Sequence, residues 1–525
     1  LIVAWSVDFL FWKKPAGVSF LVFVALGLVA FFILARGENL QPARKSVYLL
    51  VPIGLFAILA FLRQEPLTRF LSHFLALSLT ALLAHTFLGG RWLEYNLGDY
   101  VVGIFQLIVS SLGRPISLFE ARRKGAVESS EEGEEGREVP DRPTAWRRAL
   151  PVLRGLLLAL PIVAIFASLL ASADPVFADY LQDFADIFKL ENLPEYIFRL
   201  IYILILAYLF SGVYLHALAR SHDEVLVGEE KSWLPPFLGF TEATIVLGSV
   251  VALFATFVGV QFRYFFGGQN NIHIEGFTYA EYARRGFGEL DVVALFSLLL
   301  FLGLSAITRR ERESHRRAFS GLGIALVLMV VVILVSAYQR LLLYEAAYGF
   351  TRLRTYTHVF MVWLGLLLLG VVLLELLQRQ RAFVLAALVT TIGFSLTLNL
   401  LNVDGFIARQ NVNRARNGTQ LDVNYLSTLS SDAVPALVDV YQSTGLADVQ
   451  HDEIGGILAC QEKIIQEEAS DNGWGSFRLP DYRALRLLAV YSSDLREYEV
   501  RKGEYGTWWV TVNGEKRTCV NDWWD

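Results

Sequence analysis

Cysteine, methionine and charge are all scarce in this chain. Two cysteines and two methionines occur in 525 residues, and 18% of positions are Asp, Glu, Lys or Arg. So few cysteines exclude a disulfide-dense scaffold and a four-cysteine zinc site. The eight histidines are scattered, which argues against a metal cage, and neither a metal nor a cofactor is expected. Walker-type loops, H-E-x-x-H, C-x-x-C and G-x-S-x-G are missing too, so ATP-driven transport by this chain alone is not expected. With a net charge of -5 and a pI near 6.0, nothing points to nucleic acid.

What is abundant is apolar surface. The sequence is 54% hydrophobic with a mean hydropathy of +0.45, too apolar for a soluble protein of this length. A helical crossing needs roughly 20 mostly apolar residues. That ruler finds about eleven candidates, at approximately 16–36, 46–62, 67–88, 95–113, 150–172, 196–219, 238–262, 288–308, 318–342, 355–377 and 383–403. The fourth is the weakest, since its apolar part runs from Val101 to Leu112 and it starts near Glu94 and Asp99; the alternative is an interfacial helix. The opening "LIVAWSVDFLFW" is too short to span and has no A-x-A-like cleavage site, so it reads as an interfacial start. A chain starting at Leu1 rather than Met reads as truncated or processed at that end.

Cytoplasmic loops collect Lys and Arg. "TRRERESHRR" (308–317) carries five arginines between the eighth and ninth spans, which makes it the best orientation marker. Counting from there, the loops around Arg379 and Arg381, around Arg220 and Lys231, and from Arg114 to Arg148 fall inside, as do Lys13 and Lys14. The expectation is a multi-pass plasma-membrane protein with a cytoplasmic N-terminus and an exported tail. One loop disagrees: Arg36, Arg44 and Lys45 land outside, although that loop is no less basic than the one with Arg63 and Arg69. The division expected is N-terminal membrane helices (1–113), a cytoplasmic acidic linker (114–149) without order over "ESSEEGEEGREVPDRP", a main membrane domain (150–403) and an extracytoplasmic α+β domain (404–525).

In that tail, "SSDAVPALVDVYQ" begins with a serine cap and places Pro435 in the first turn of a helix. "DEIGGILACQEKIIQEEA" and "LPDYRALRLLAVYSSDL" have apolar residues at three and four spacing. The period then changes to two, and "TWWVTV" and "EKRTCV" flank Asn513-Gly514, the dipeptide of a type I' hairpin. Cys460 and Cys519 both lie here; an oxidising exterior would let them pair, and two unrelated buried thiols are the alternative. Trp508, Trp509, Trp523 and Trp524 read as core caps or interfacial anchors, with binding of a sugar or lipid surface as the other reading.

Four segments near the outer face are more polar than membrane edges require. "ASADPVFADYLQDFADIF" (171–188) reads as an amphipathic interfacial helix with Asp174 as cap and a solvated acidic outer face, with weak binding of a divalent cation by Asp179, Asp183 and Asp186 as the other reading. "GFTYAEYARRGFGELD" (276–291) brings Glu281, Tyr282, Arg284 and Arg285 together, either as arginines reaching headgroups or as an anion or phosphate site. "YEAAYGFTRLRTYTH" (344–358) holds Glu345, Arg352 and Arg354 around Gly349, which breaks or bends the helix. "NLLNVDGFIARQNVNRAR" (399–416) supplies Asp404, Arg409 and Asn411. Within the predicted spans, Arg154, Glu242, Glu375, His73 and His85 need explaining, since intramembrane charge is costly.

"ASADPVF", "YAEYARRGF", "YGFTRLRTY", "FIARQNV", "LDVNYLSTLSSDAVPAL" and "WGSFRLPDYRA" resemble the recurring motifs of an uncharacterised family of bacterial integral membrane proteins, classed as a domain of unknown function. The resemblance runs from about 150 to 490 and implies a bacterial envelope protein without implying an activity. Two functions follow from the residues. One is an envelope transporter, sensor or scaffold subunit whose outer face binds a ligand or partner. The other is a membrane enzyme with a glycosyltransferase-like layout, in which arginines hold a lipid-linked phosphate while Glu281, Glu345 or Asp404 serves as base. The partners expected are membrane lipids and an anionic or phosphate-bearing ligand at the outer face.

Overall fold

A computed structural model describes residues 1–131, 193–219, 236–265, 287–419, 421–443, 448–471, 473–503 and 507–519, with scattered positions from 159 to 177. The chain forms two contact units, Leu1–Phe9 with Ile108–Leu215, and Leu10–Leu107 with His216–Asp525.

The helices are α1 (Ile2–Phe11), α2 (Val18–Gly37), α3 (Arg44–Val47), α4 (Leu50–Leu62), α5 (Pro66–His85), α6 (Leu97–Glu131), α7 (Leu193–Ala219), α8 (Phe240–Phe265), α9 (Phe287–Ile307), α10 (Glu313–Tyr348), α11 (Arg352–Leu376) and α12 (Phe383–Leu401). Then come α13 (Val403–Arg416), α14 (Val423–Ser427), α15 (Val434–Tyr441), α16 (Asp448–Asp471), α17 (Leu479–Leu488) and α18 (Ser492–Leu495). Among the described residues, nine helices are long and apolar enough to cross a membrane. The protein is therefore a multi-pass membrane protein. Of the eleven expected spans, 150–172 lies largely outside the described residues, and 95–113 falls inside α6, which does not meet the same measure. Helix α6 continues to Glu131, into the stretch expected as a linker.

In the smaller unit, Asp8 accepts from Arg199 Nε at 2.8 Å and from the Tyr202 hydroxyl. Arg114 Nη1 donates to the Leu215 carbonyl at 3.0 Å. In the larger unit, the ends of the helices sort into two groups. At one end, Ala43 N–H donates to Phe87 O at 2.8 Å, Lys45 meets Glu94 at 3.0 Å, and Leu238 N–H donates to Ile307 O at 3.0 Å. Segments 91–94, 310–320 and 375–382 share a cavity there. At the other end, the α4–α5 turn, the α10–α11 turn and the end of α12 meet the C-terminal residues through Asp432 and Asp404.

This sorting corrects the side assignments. Arg36, Arg44 and Lys45 join Arg310 and Arg379 at the basic end instead of standing apart from them. Arg63 goes to the opposite end, where its Nη1 lies 3.4 Å from Asp432. Lys13 and Lys14, expected opposite the tail, precede α2 on the tail's own side, because Val18 N–H donates to Phe477 O at 2.9 Å. Counting crossings back from 308–317 assigned the first loop indirectly, whereas its contacts with 86–94 fix its end of the unit directly.

The C-terminal residues build a helical core shared with α12 and α13, centred on Val403, Ile407, Leu426, Leu437, Ile454 and Leu488. A three-stranded antiparallel sheet follows, in the order β1 (Glu499–Lys502), β2 (Trp508–Val512), β3 (Glu515–Thr518). Val512 pairs with Glu515 across Asn513 and Gly514, at φ 52° and 83°, as a type I' turn requires. Val510 and Val512 face Cys460 and Cys519, whose sulfurs are at bonding distance with the Cα atoms 5.4 Å apart. Lys516 lies over Trp509 at 4.5 Å, so this tryptophan is covered by its own hairpin. Trp523 and Trp524 lie outside the described residues.

Candidate functional site

Polar groups concentrate where the C-terminal residues meet the helix ends, and the cause begins with two backbone breaks. Gly349 ends α10 at φ +86°, a conformation open almost exclusively to glycine. Thr351 then caps α11, which turns "YGFTR" back into the bundle. Asn402 adopts the left-handed conformation between α12 and α13, with its Oδ1 accepting from Gly405 N–H at 3.3 Å. That kink sets Asp404 beside Arg352.

The Arg352 guanidinium grips Asp404 through two bonds, Nε–Oδ1 at 2.8 Å and Nη2–Oδ2 at 2.6 Å. Nη2 also donates to Thr428 O at 2.9 Å, and Ser430 N–H donates to Asp404 at 2.8 Å. Asp404 is wholly buried, so each of its oxygens is satisfied by a donor rather than by water. Nearby, Asp432 accepts from the N–H groups of Gln64 at 2.5 Å and Glu65 at 3.1 Å. Arg63 Nε donates to Asn399 O at 2.7 Å, which ties the α4–α5 turn to α12. Glu65 caps α5 by accepting from Leu67 and Thr68 N–H, and it receives the Tyr356 hydroxyl. The result is a seam of buried charges in which each carboxylate has its own cationic or N–H donor.

Burial pushes Asp432 up to about 6, with Asp404 acting in the same direction, while Gln64 N–H, Arg63 and Glu65 N–H oppose it. The native state thus holds this proton more tightly than the unfolded chain. The stabilising contribution is full below pH 3.8 and is lost as pH rises through about 6, an effect on the order of 3 kcal/mol. Relative to Asp432→Asn, the wild type is expected to lose stability between about pH 4 and pH 7, as read by denaturant unfolding at several pH values. A difference constant with pH would show that Asp432 is ionised throughout.

Of the residues singled out in the sequence, Arg352 and Asp404 bond each other. Asn411 bonds both polar atoms of the Phe350 backbone, at 2.7 Å and 2.8 Å. Arg354 donates to Gly349 O and lies over the Tyr344 ring at 4.1 Å. Glu345 is buried against His358 at 3.0 Å, apart from the Arg352 pair. Arg409 is exposed on α13. Glu281, Tyr282, Arg284 and Arg285 lie outside the described residues, as does most of 171–188 and Arg154. Glu242 caps α8 by accepting from Gly239 N–H at 2.7 Å. Among the described residues, no group of three or more His, Cys, Asp or Glu could hold a metal.

A methyl group on Gly349 would stand 2.5 Å from Arg414 Nη1 and 2.8 Å from Asn411 Oδ1. Gly349→Ala is therefore expected to cost about 1–3 kcal/mol, read as a lower melting temperature in detergent. An unchanged melting temperature would mean that the turn relaxes freely.

Sequence reasoning missed Arg63, Glu65, Asp432 and Tyr425, whose hydroxyl accepts from Arg352 N–H at 2.6 Å. Glu65-Pro66 at a helix start was a legible cap signal. Asp432 was read as part of a capping stretch, with no hint of a partner 368 positions away.

A family model for a domain of unknown function, DUF4153, matches residues 50–440. The chain belongs to the DUF4153 family. Its matched region contains Arg63, Glu65, Arg352, Asp404 and Asp432, so the whole seam lies inside the DUF4153 domain, while the disulfide and the sheet lie beyond it. Neither a curated protein nor a solved structure matches the chain.

Proposed function

We propose that this protein is a bacterial envelope sensor or scaffold that holds an extracytoplasmic C-terminal domain in a fixed orientation on its membrane helices. The observation that carries the reading is the closed state of Asp404, one of the carboxylates that the sequence offers as a base. Both its oxygens are committed to Arg352 and Ser430 N–H, and the group is fully buried. Catalytic acids and bases must reach a reacting atom; this one reaches a clamp. The seam joins elements far apart in sequence, so a partner that shifts the C-terminal domain would pull on α5, α11 and α12 together.

Sidedness supports the same reading. Arg36, Arg44, Lys45, Arg91, Arg310, Arg316, Arg379 and Arg381 gather at the end away from the C-terminal domain, which fits the cytoplasmic side. The cysteine pair on the other side fits an oxidising exterior.

Two measurements test the proposal. In intact cells, Ser493→Cys is expected to react with a membrane-impermeant maleimide and Glu311→Cys to react only after permeabilisation; the reverse pattern would overturn the sidedness. The neutral pair Arg352→Gln/Asp404→Asn is expected to complement a deletion strain wherever the protein folds. A folded neutral pair that fails to complement would move the assignment to chemistry at Asp404.

A further inference from the structure

The basic end of the bundle contains a feature that the clamp does not use. A cavity of about 890 Å³ opens between segment 91–94 and the ends of α10 and α11. Five arginines line it, Arg91, Arg310, Arg316, Arg379 and Arg381. The carboxylates on its wall are Glu94 and Glu375, and both are engaged: Glu94 by Lys45 at 3.0 Å and Arg91 at 3.3 Å, Glu375 by the Ser320 hydroxyl. Arg316 is itself paired with Glu313 at 2.8 Å, and with that carboxylate included positive charge still exceeds negative charge around a concave space large enough for a small organic ligand.

Arg310 shows that this is more than a belt of arginines reaching outward to headgroups. Its Nη2 is fixed by the Ser305 carbonyl at 2.5 Å and hydroxyl at 3.1 Å, and its guanidinium lies over the Phe319 ring at 4.8 Å. Those partners are neutral. Burial lowers its pKa first and Arg316 lowers it further, with Glu375 opposing, so an added anion would favour the charged form. Arg379 and Arg381 are exposed and approach from the short connection between α11 and α12.

We propose that this cavity binds a phosphoryl group, at the end of the bundle opposite the C-terminal domain. The guanidinium fork matches phosphate oxygens in pairs, and several forks converging from separate segments suit a multiply charged anion. The phosphoryl group comes either from an anionic phospholipid or from a soluble phosphate compound.

Full-length protein tests the proposal in two arms. In nanodiscs of phosphatidylcholine, pyrophosphate is titrated by calorimetry. In detergent, retention of phosphatidylglycerol against phosphatidylcholine is read by native mass spectrometry. Each arm compares the wild type with Arg379→Gln/Arg381→Gln, two exposed positions whose loss leaves the Arg310 packing in place, and with Arg409→Gln as a control at the other end. The expected result is at least a tenfold weaker binding of one probe by the double variant, with Arg409→Gln unchanged. Binding in the first arm assigns a soluble phosphate, and binding in the second a lipid headgroup. Failure of both probes to bind, or equal binding by wild type and double variant, would overturn the site.

Discussion

Arg352→Gln or Asp404→Asn alone is expected to be among the most damaging single changes in the chain, costing about 3–5 kcal/mol. Either one leaves a charge in a place where water does not compensate it, since Asp404 is fully buried and the Arg352 guanidinium is largely covered. In Arg352→Gln the carboxylate keeps Ser430 N–H but loses both guanidinium bonds. In Asp404→Asn the guanidinium keeps Thr428 O but faces a neutral amide. The double neutral variant removes both charges, so its cost should fall well below the sum of the two singles. Thermal unfolding of the four proteins, with limited proteolysis of the C-terminal residues as a second readout, measures that coupling. Additive costs would mean that the pair is not the unit holding the domain in place.

The second large effect is expected at Cys460 and Cys519. Their link closes a loop with a sequence separation of 59, which on the chain-entropy view contributes about 4 kcal/mol, within a usual range of about 2–4. It also fastens β2 and β3 to α16, because the two cysteines form one buried cluster with Val510 and Val512. The double change Cys460→Ala/Cys519→Ala should free the hairpin first, since most of the remaining helical core is built without it. The expected readout is rapid proteolysis near 499–519 while the fragment containing the membrane helices persists. An identical proteolysis pattern with and without reductant would show that side-chain packing alone retains the sheet. The seam and the disulfide act on different parts of the C-terminal residues, so their costs should be nearly additive.

Much of this was legible in the sequence, for identifiable reasons. Apolar runs are long and nearly free of charge, so the crossings declare themselves through solvation alone. Gly349 and Asn513-Gly514 mark backbone conformations that few other residues tolerate. The shift from helical to alternating spacing announced the hairpin β2–β3, although β1, "EVRK", is too short and too polar to show the same signal.

The seam was half legible. Arg352 and Asp404 stood out because charge beside an apolar run demands an explanation, whereas Arg63 looked like an ordinary loop residue and Asp432 like part of a serine-capped helix start. The side of the first basic loop was misread for a different reason. Sidedness inferred by counting carries any miscounted crossing to all the loops before it, whereas the contacts of 43–45 with 86–94 fix that loop directly.

The sequence by itself determined that the chain lives in a membrane, that many of its helices are long and apolar enough to cross it, and that its C-terminal residues fold as helices and a hairpin. These are local properties, set by hydrophobicity and by backbone preference over a few turns. Only the tertiary structure decided which charges meet. Ion pairing between Arg352 and Asp404, docking of Asp432 on the α4–α5 turn, and the gathering of arginines at the opposite end all depend on contacts between distant segments. No local pattern encodes those contacts, because a carboxylate is partnered by whatever the fold brings to it.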